Sequence, residues 1–221
     1  MNFICALDFI FPLKCGVCGK IGTPICKDCE KKIEQYKINL LEENYVRNKE
    51  ISIKINKFYI YKYSGIIREL LIKYKFYDSS YLADTFAKLM LKNEKLFGFL
   101  KNYDIIIPVP LHKKRKLQRG YNQVELIARK LGKIKIEDTS LVKVKNIKPQ
   151  SQKRLNERIT DIEGVYKVTN IKKIENKKIL LFDDIYTTGS TVGECIKVLS
   201  KYSKEIGVLI IAKDYMEVKN G

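Results

Sequence analysis

The sequence predicts an α/β protein, a parallel sheet covered by helices on both faces, with a small cysteine-bearing module ahead of it. Three observations predict this. Strand-like and helix-like stretches alternate through the second half in the order β-α-β-α-β, the pattern of crossover connections in a parallel sheet. The strand-like runs are apolar throughout, as strands buried on both faces are. Four cysteines crowd into residues 15–29, too few residues to bury a core of their own. The 221 residues are 45% apolar and 31% charged, a composition for a soluble globular chain with a sizeable core. No apolar run approaches the ~20 residues of a membrane-spanning helix, which excludes an integral membrane segment.

The elements follow in order. The N-terminal MNFICALDFIFPLK lacks a basic leading segment, carries Asp8 within its apolar stretch and meets no small-residue cleavage site. It reads as a helix packing on the module behind it, not as a secretory signal. That places the chain in the cytoplasm, where cysteines stay reduced or ligate metals. Cys15, Cys18, Cys26 and Cys29 form C-x2-C, seven intervening residues, C-x2-C. Each pair turns two thiolates toward one point, and Gly16 and Gly19 permit the tight backbone. Four thiolates suit the closed tetrahedral site of structural Zn²⁺. A disulfide pair and an iron–sulfur cluster are the other uses of four cysteines. With every position filled by protein, such a zinc folds its segment and does no catalysis. Cys5 and Cys195 read as small core residues.

Residues 30–56 are polar and lysine-rich without a clean period and read as a helix and a connector. The expected organisation is an apolar helix and zinc module over 1–35, a connector over 36–56 and the main domain over 57–221. KFYIYKY (57–63) reads as a strand, and 64–78 and 80–92 as helices. YDIIIPVP (103–110), KKILLFDD (177–184) and IGVLIIAK (206–213) read as buried parallel strands. Residues 120–132 and 190–202 read as the helices between them. The polar, basic stretch 143–168 reads as a mobile hairpin or lid with a strand near 164–168. Ligands of such sheets bind at the carboxyl ends of the strands.

The net charge is +18, and residues 101–221 carry 26 basic against 14 acidic side chains. That favours an anionic partner, although a lysine-heavy surface also serves solubility alone. The stretch ILLFDDIYTTGSTV (179–192) gives the anion a place. A buried strand delivers Asp183 and Asp184 at its carboxyl end. Thr187, Thr188, Ser190 and Thr191 offer hydroxyls, Gly189 lets the backbone curl around an oxyanion, and the helix that follows adds free N–H groups. Two carboxylates would repel a phosphate unless they face hydrogen-bond donors such as ribose hydroxyls.

This stretch resembles the phosphoribosyl pyrophosphate (PRPP) motif of type I phosphoribosyltransferases. With the four-cysteine module, PVPLHKKRKLQRGYNQ (108–123) and PQSQKRLNER (149–158), the chain resembles the ComF family of competence-associated, phosphoribosyltransferase-like proteins from about residue 5 to 213. The resemblance implies a type I phosphoribosyltransferase-like parallel sheet flanked by helices, and PRPP bound with Mg²⁺. Asp183 and Asp184 would hold the ribose hydroxyls, and Thr187, Thr188, Gly189, Ser190 and Thr191 the 5′-phosphate. Arg115 and Arg119, with Lys113 and Lys114, would face the pyrophosphate, and Arg119 with the two aspartates would be the catalytic set. Lys153, Arg154 and Arg158 would close as a lid. His112 reads as a loop residue. The aromatic-basic run 73–77 would grip the acceptor or stack single-stranded nucleic acid, and is otherwise the end of an amphipathic helix. The implied role lies in DNA uptake during natural transformation. It would involve single-stranded DNA and a competence helicase or other uptake proteins, with phosphoribosyl transfer to an unknown acceptor. The alternative is a plain metabolic phosphoribosyltransferase without a DNA role.

Overall fold

A computed structural model describes residues 13–48, 51–76, 79–132, 134–146 and 163–215. The N-terminal apolar stretch with Cys5, and the lid residues Lys153, Arg154 and Arg158, lie outside the described residues.

After the cysteine loops comes helix α1 (Lys27–Glu34). Asp28 and Glu30 sit in its first turn and Lys31 and Lys32 in its last, the charge order that complements the helix dipole. Two strands of twelve residues follow, β1 (Lys37–Asn48) and β2 (Ile51–Lys62), paired antiparallel. The connector expected over 36–56 is therefore sheet. Ile51, Ile53 and Ile55 alternate with Ser52, Lys54 and Asn56, a period of two that the polar surroundings obscure.

Three helices come next, α2 (Gly65–Phe76), α3 (Leu82–Leu91) and α4 (Glu94–Leu100). Strand β3 (Ile105–Pro108) leads into a short helix, α5 (Lys113–Arg119), in place of the expected loop. His112 caps α5: its Nδ1 accepts the Lys114 N–H at 3.3 Å. Helix α6 (Gln123–Leu131) stacks on α3 and precedes the two-residue β4 (Lys135–Ile136). A separate antiparallel pair is formed by β5 (Leu141–Lys143) and β6 (Tyr166–Val168), on either side in sequence of the stretch expected to be a lid. Strand β7 (Lys178–Tyr186), helix α7 (Ser190–Leu199) and strand β8 (Glu205–Lys213) complete the described chain.

The main sheet runs β1-β2-β8-β7-β3-β4, all parallel except β1. Strands β7 and β8 lie at its centre and are buried almost throughout. Alternate side chains feed two cores. Leu180 and Phe182 point to the face covered by α2, α3 and α6. Ile179 and Leu181 point to the face covered by α7. The cysteine module docks on the first face. Gly16 lies so close to Leu82, Thr85 and Leu70 that a side chain there would collide with Leu82. Thr85 Oγ1 donates to the Pro24 carbonyl at 2.6 Å, and Lys92 pairs with Glu30 at 2.6 Å. Among the described residues no helix is long and apolar enough to cross a membrane.

Candidate functional site

The carboxyl ends of β3 and β7 open onto a cavity of about 480 Å³. Every described residue singled out from the phosphate motif lines it: Asp183, Asp184, Thr187, Thr188, Gly189, Ser190 and Thr191. Arg115 and Arg119 reach it from α5, while Lys113 and Lys114 of the same helix are exposed and do not line it.

The turn from β7 to α7 is shaped by Gly189. It adopts φ +78°, ψ 0°, and a Cβ there would run into the Tyr186 ring, so both conformation and space require glycine. Gly189 offers no side chain to cap α7. Thr188 Oγ1 and Ser190 Oγ share a hydrogen bond at 2.6 Å beside the uncapped helix start. Hydroxyls and the positive end of a helix dipole thus converge on one point, a fit for an oxyanion.

The two acids differ. Asp184 is buried and accepts an ion pair from Lys75 Nζ at 2.9 Å. Asp183 accepts the Asp184 backbone N–H at 2.9 Å. Burial first, and the Asp184 charge second, push the Asp183 carboxyl up to about 7, with Lys75, that N–H and Lys143 opposing. Near neutrality Asp183 is about half-protonated. It can therefore donate or accept hydrogen bonds, as a polyol partner requires. Asp183 and Asp184 are the only carboxylates lining the cavity among the described residues.

Two tyrosines fix the end of α2 against the start of α6. Tyr74 Oη donates to the Gln123 carbonyl at 2.9 Å, and Tyr121 Oη donates to the Tyr74 carbonyl at 3.1 Å. This seats Lys75 and Phe76 at the cavity wall, where the Arg119 guanidinium stands 5.9 Å from the Phe76 ring centre. Burial and the neighbouring Arg115 pull Arg119 below its usual value, and it stays a cation. Asn122 anchors the loop by donating Nδ2 to the Val109 carbonyl at 3.0 Å. The sequence had given Lys75 another role, at the acceptor, and had not singled out Tyr63, Lys143 or Tyr166, which also line the cavity.

At the other end of the chain, one sulfur from each of Cys15, Cys18, Cys26 and Cys29 lies within 4.8 Å of the others. The four are free thiols, with no disulfide among them. The Cys26 N–H points at Cys15 Sγ at 3.5 Å. Burial works against ionising Cys15, but the backbone N–H groups of Cys18, Cys26 and Val17 outweigh it and bring this thiol down to about 6. Cys29 is pushed up by burial and by its neighbouring thiols. The cluster has the donor set and spacing to bind a metal ion such as zinc. Cys195 is buried in α7, in the core, as expected.

No protein-family model matches the chain. Curated relatives do, among them two competence proteins. Competence protein ComFC of Bacillus subtilis is 28% identical over 200 residues, which are 88% of this chain and 74% of that protein. Competence protein F of Haemophilus influenzae is 28% identical over 203 residues, 86% of each chain. Among solved structures, adenine phosphoribosyltransferase from Thermoanaerobacter pseudethanolicus aligns over 83% of this chain and 98% of that one. Its identity is 12% and its TM-score 0.34, a likeness too shallow to bear on the site. With the cysteine module, the arginine-bearing helix after β3 and the acidic-pair turn after β7 all in place, the chain is similar over most of its length to these competence proteins, as the resemblance to the ComF family leads one to expect.

Proposed function

We propose that the cavity binds PRPP and that the protein works in DNA uptake during natural transformation. One observation carries the first part: twin carboxylates, a hydroxyl-lined glycine turn, an open helix N-terminus and two arginines line a single cavity. The acids suit the ribose hydroxyls, the Thr187–Thr191 turn the 5′-phosphate, and Arg115 and Arg119 the diphosphate. The association of the ComF family with competence, and the names that the similar proteins bear, support the second part.

Turnover, where it occurs, breaks the bond between C1 of the ribose and the diphosphate, and a nitrogen nucleophile forms the new bond at C1. The diphosphate leaves with the bonding pair, and the nucleophile's proton is lost to solvent or to an acceptor. The protein needs no nucleophile of its own. Its share is to hold the sugar still and to offset the charge that develops on the leaving group. The two carboxylates form no cage for Mg²⁺, since Asp184 is engaged by Lys75 and Asp183 is partly protonated. Mg²⁺ would be held by substrate oxygens and water, and would supply counter-charge to the diphosphate. In the N-terminal module, Cys15, Cys18, Cys26 and Cys29 would hold zinc, which would supply folding energy.

Isothermal calorimetry tests the reading. Asp183→Asn with Asp184→Asn should weaken PRPP binding at least about tenfold, and equal binding by the double variant and the parent sinks it. For the DNA role, single-strand affinity should fall linearly on a log–log plot against salt. A flat plot removes the electrostatic support that the +18 charge lends.

A further inference from the structure

The β5–β6 pair presents a cation, Lys143, that makes no ion pair among the described residues. Lys143 closes β5 and is the register partner of Tyr166 on β6. Its ammonium stands 5.4 Å from the centre of the Tyr166 ring, and both residues line the cavity. Tyr166 is itself buried, and it lines the cavity beside Thr191 of the glycine turn. The pair is tied to α7. The Gly164 N–H donates to Glu194 Oε1 at 2.7 Å, and Lys197 pairs with Glu163 at 2.7 Å. Lys143 therefore stands on a fixed mount, whatever the chain between β5 and β6 does.

The groups facing this ammonium are Arg115 of α5, Asp183 of β7 and Cys195 of α7. Burial pulls the Lys143 ammonium below its usual value, and the Arg115 charge pushes the same way. Asp183 opposes but forms no ion pair with it among the described residues. A desolvated cation costs free energy unless something of opposite charge meets it. Here two cations press on each other across a cavity, and only a ligand with several negative charges satisfies both. The glycine turn already provides for a phosphate monoester.

We propose that Lys143 is a direct ligand of the diphosphate group, shared with Arg115, and that Tyr166 positions its ammonium. This rests on the PRPP reading of the cavity and adds to it a residue outside the motif and outside the lid.

The test is calorimetry on the full chain with two probes, inorganic pyrophosphate and ribose 5-phosphate. Lys143→Met should weaken pyrophosphate about tenfold or more, as loss of a charge-assisted bond does, and leave ribose 5-phosphate within about twofold. Lys143→Arg, which keeps the charge, should retain most of the pyrophosphate affinity. Should the methionine variant fail to fold, Lys143→Gln carries the same comparison. If the parent binds both probes and Lys143→Met or Lys143→Gln binds pyrophosphate equally well, the proposal is overturned and the PRPP reading stands. If the parent binds pyrophosphate through Lys143 but ignores ribose 5-phosphate and PRPP, the proposal stands and the PRPP reading falls. If the parent binds neither probe, both fall.

Discussion

Strand β7 ends in two carboxylates that look to opposite faces of the sheet, and each meets one lysine. On the face covered by α2 and α3, Asp184 and Lys75 neutralise each other at 2.9 Å. On the face covered by α7, Asp183 and Lys143 sense each other without pairing. The first face is electrically closed. The second is left open, with an acid near half-protonation and a half-buried cation beside the cavity. The difference teaches where a charged ligand gains most. Groups already paired lose a partner when a ligand arrives, whereas unpaired ones only gain.

The comparison can be broken at four points, the largest effect first. Gly189→Val forces a side chain into the Tyr186 ring and asks a β-branched residue to adopt φ +78°. PRPP binding should fall about a hundredfold or more by calorimetry, because the turn serves both acids. Removal of metal from the cysteine cluster should act on one face only. Amide exchange should quicken in α2 and α3, where Gly16 and Pro24 dock, and stay unchanged in α7. Uniform quickening would show that the faces are not separable in this way.

Lys75→Met leaves the Asp184 carboxylate buried without a partner. Discounted for the partial exposure of both groups, this should cost about 1–3 kcal/mol in urea unfolding, while Lys143→Met should cost less than about 0.5. The reverse order would show that the α7 face, not the α2 face, is the internally paired one. The smallest effect is in pH. Burial, with Asp184 next, raises Asp183 from its ordinary carboxylate value to about 7 in the folded chain. The native state therefore binds the extra proton between about pH 4 and 7, and the stability this group lends is present below that window and lost as pH rises through it. The stability difference between parent and Asp183→Asn should change across that window and be flat above it.

The turn after β7 was legible because its chemistry is contiguous. Acids, hydroxyls and glycine follow one another at a strand end, and local geometry alone brings them together. The cysteine cluster was legible for the same reason. Lys75 is 109 residues from its partner Asp184, and only the packing of α2 against β7 joins them. Its neighbours Tyr74 and Phe76 suggested a stacking surface instead. Lys143 sits in a basic stretch where nothing distinguishes it from Lys145, yet burial against Tyr166 sets it apart. Strand β1 and the first half of β2 went unread although the isoleucines at 51, 53 and 55 alternate, because Glu42, Glu43 and Lys54 made the surroundings look like linker. Here Tyr59 donates to Glu42 at 3.0 Å, and Glu42 also meets Lys213, so charges that looked like solvent contacts tie β1, β2 and β8 together.

The two short strands β5 and β6 share no ladder with the six-stranded sheet. A change in the length of chain joining them therefore shifts no register elsewhere, since a slip in one sheet cannot propagate to the other. Insertions and deletions there are the cheapest edits this architecture allows. Strand β7 and the glycine turn, which carry the acids and hydroxyls of the cavity, keep their place whatever the length of that chain.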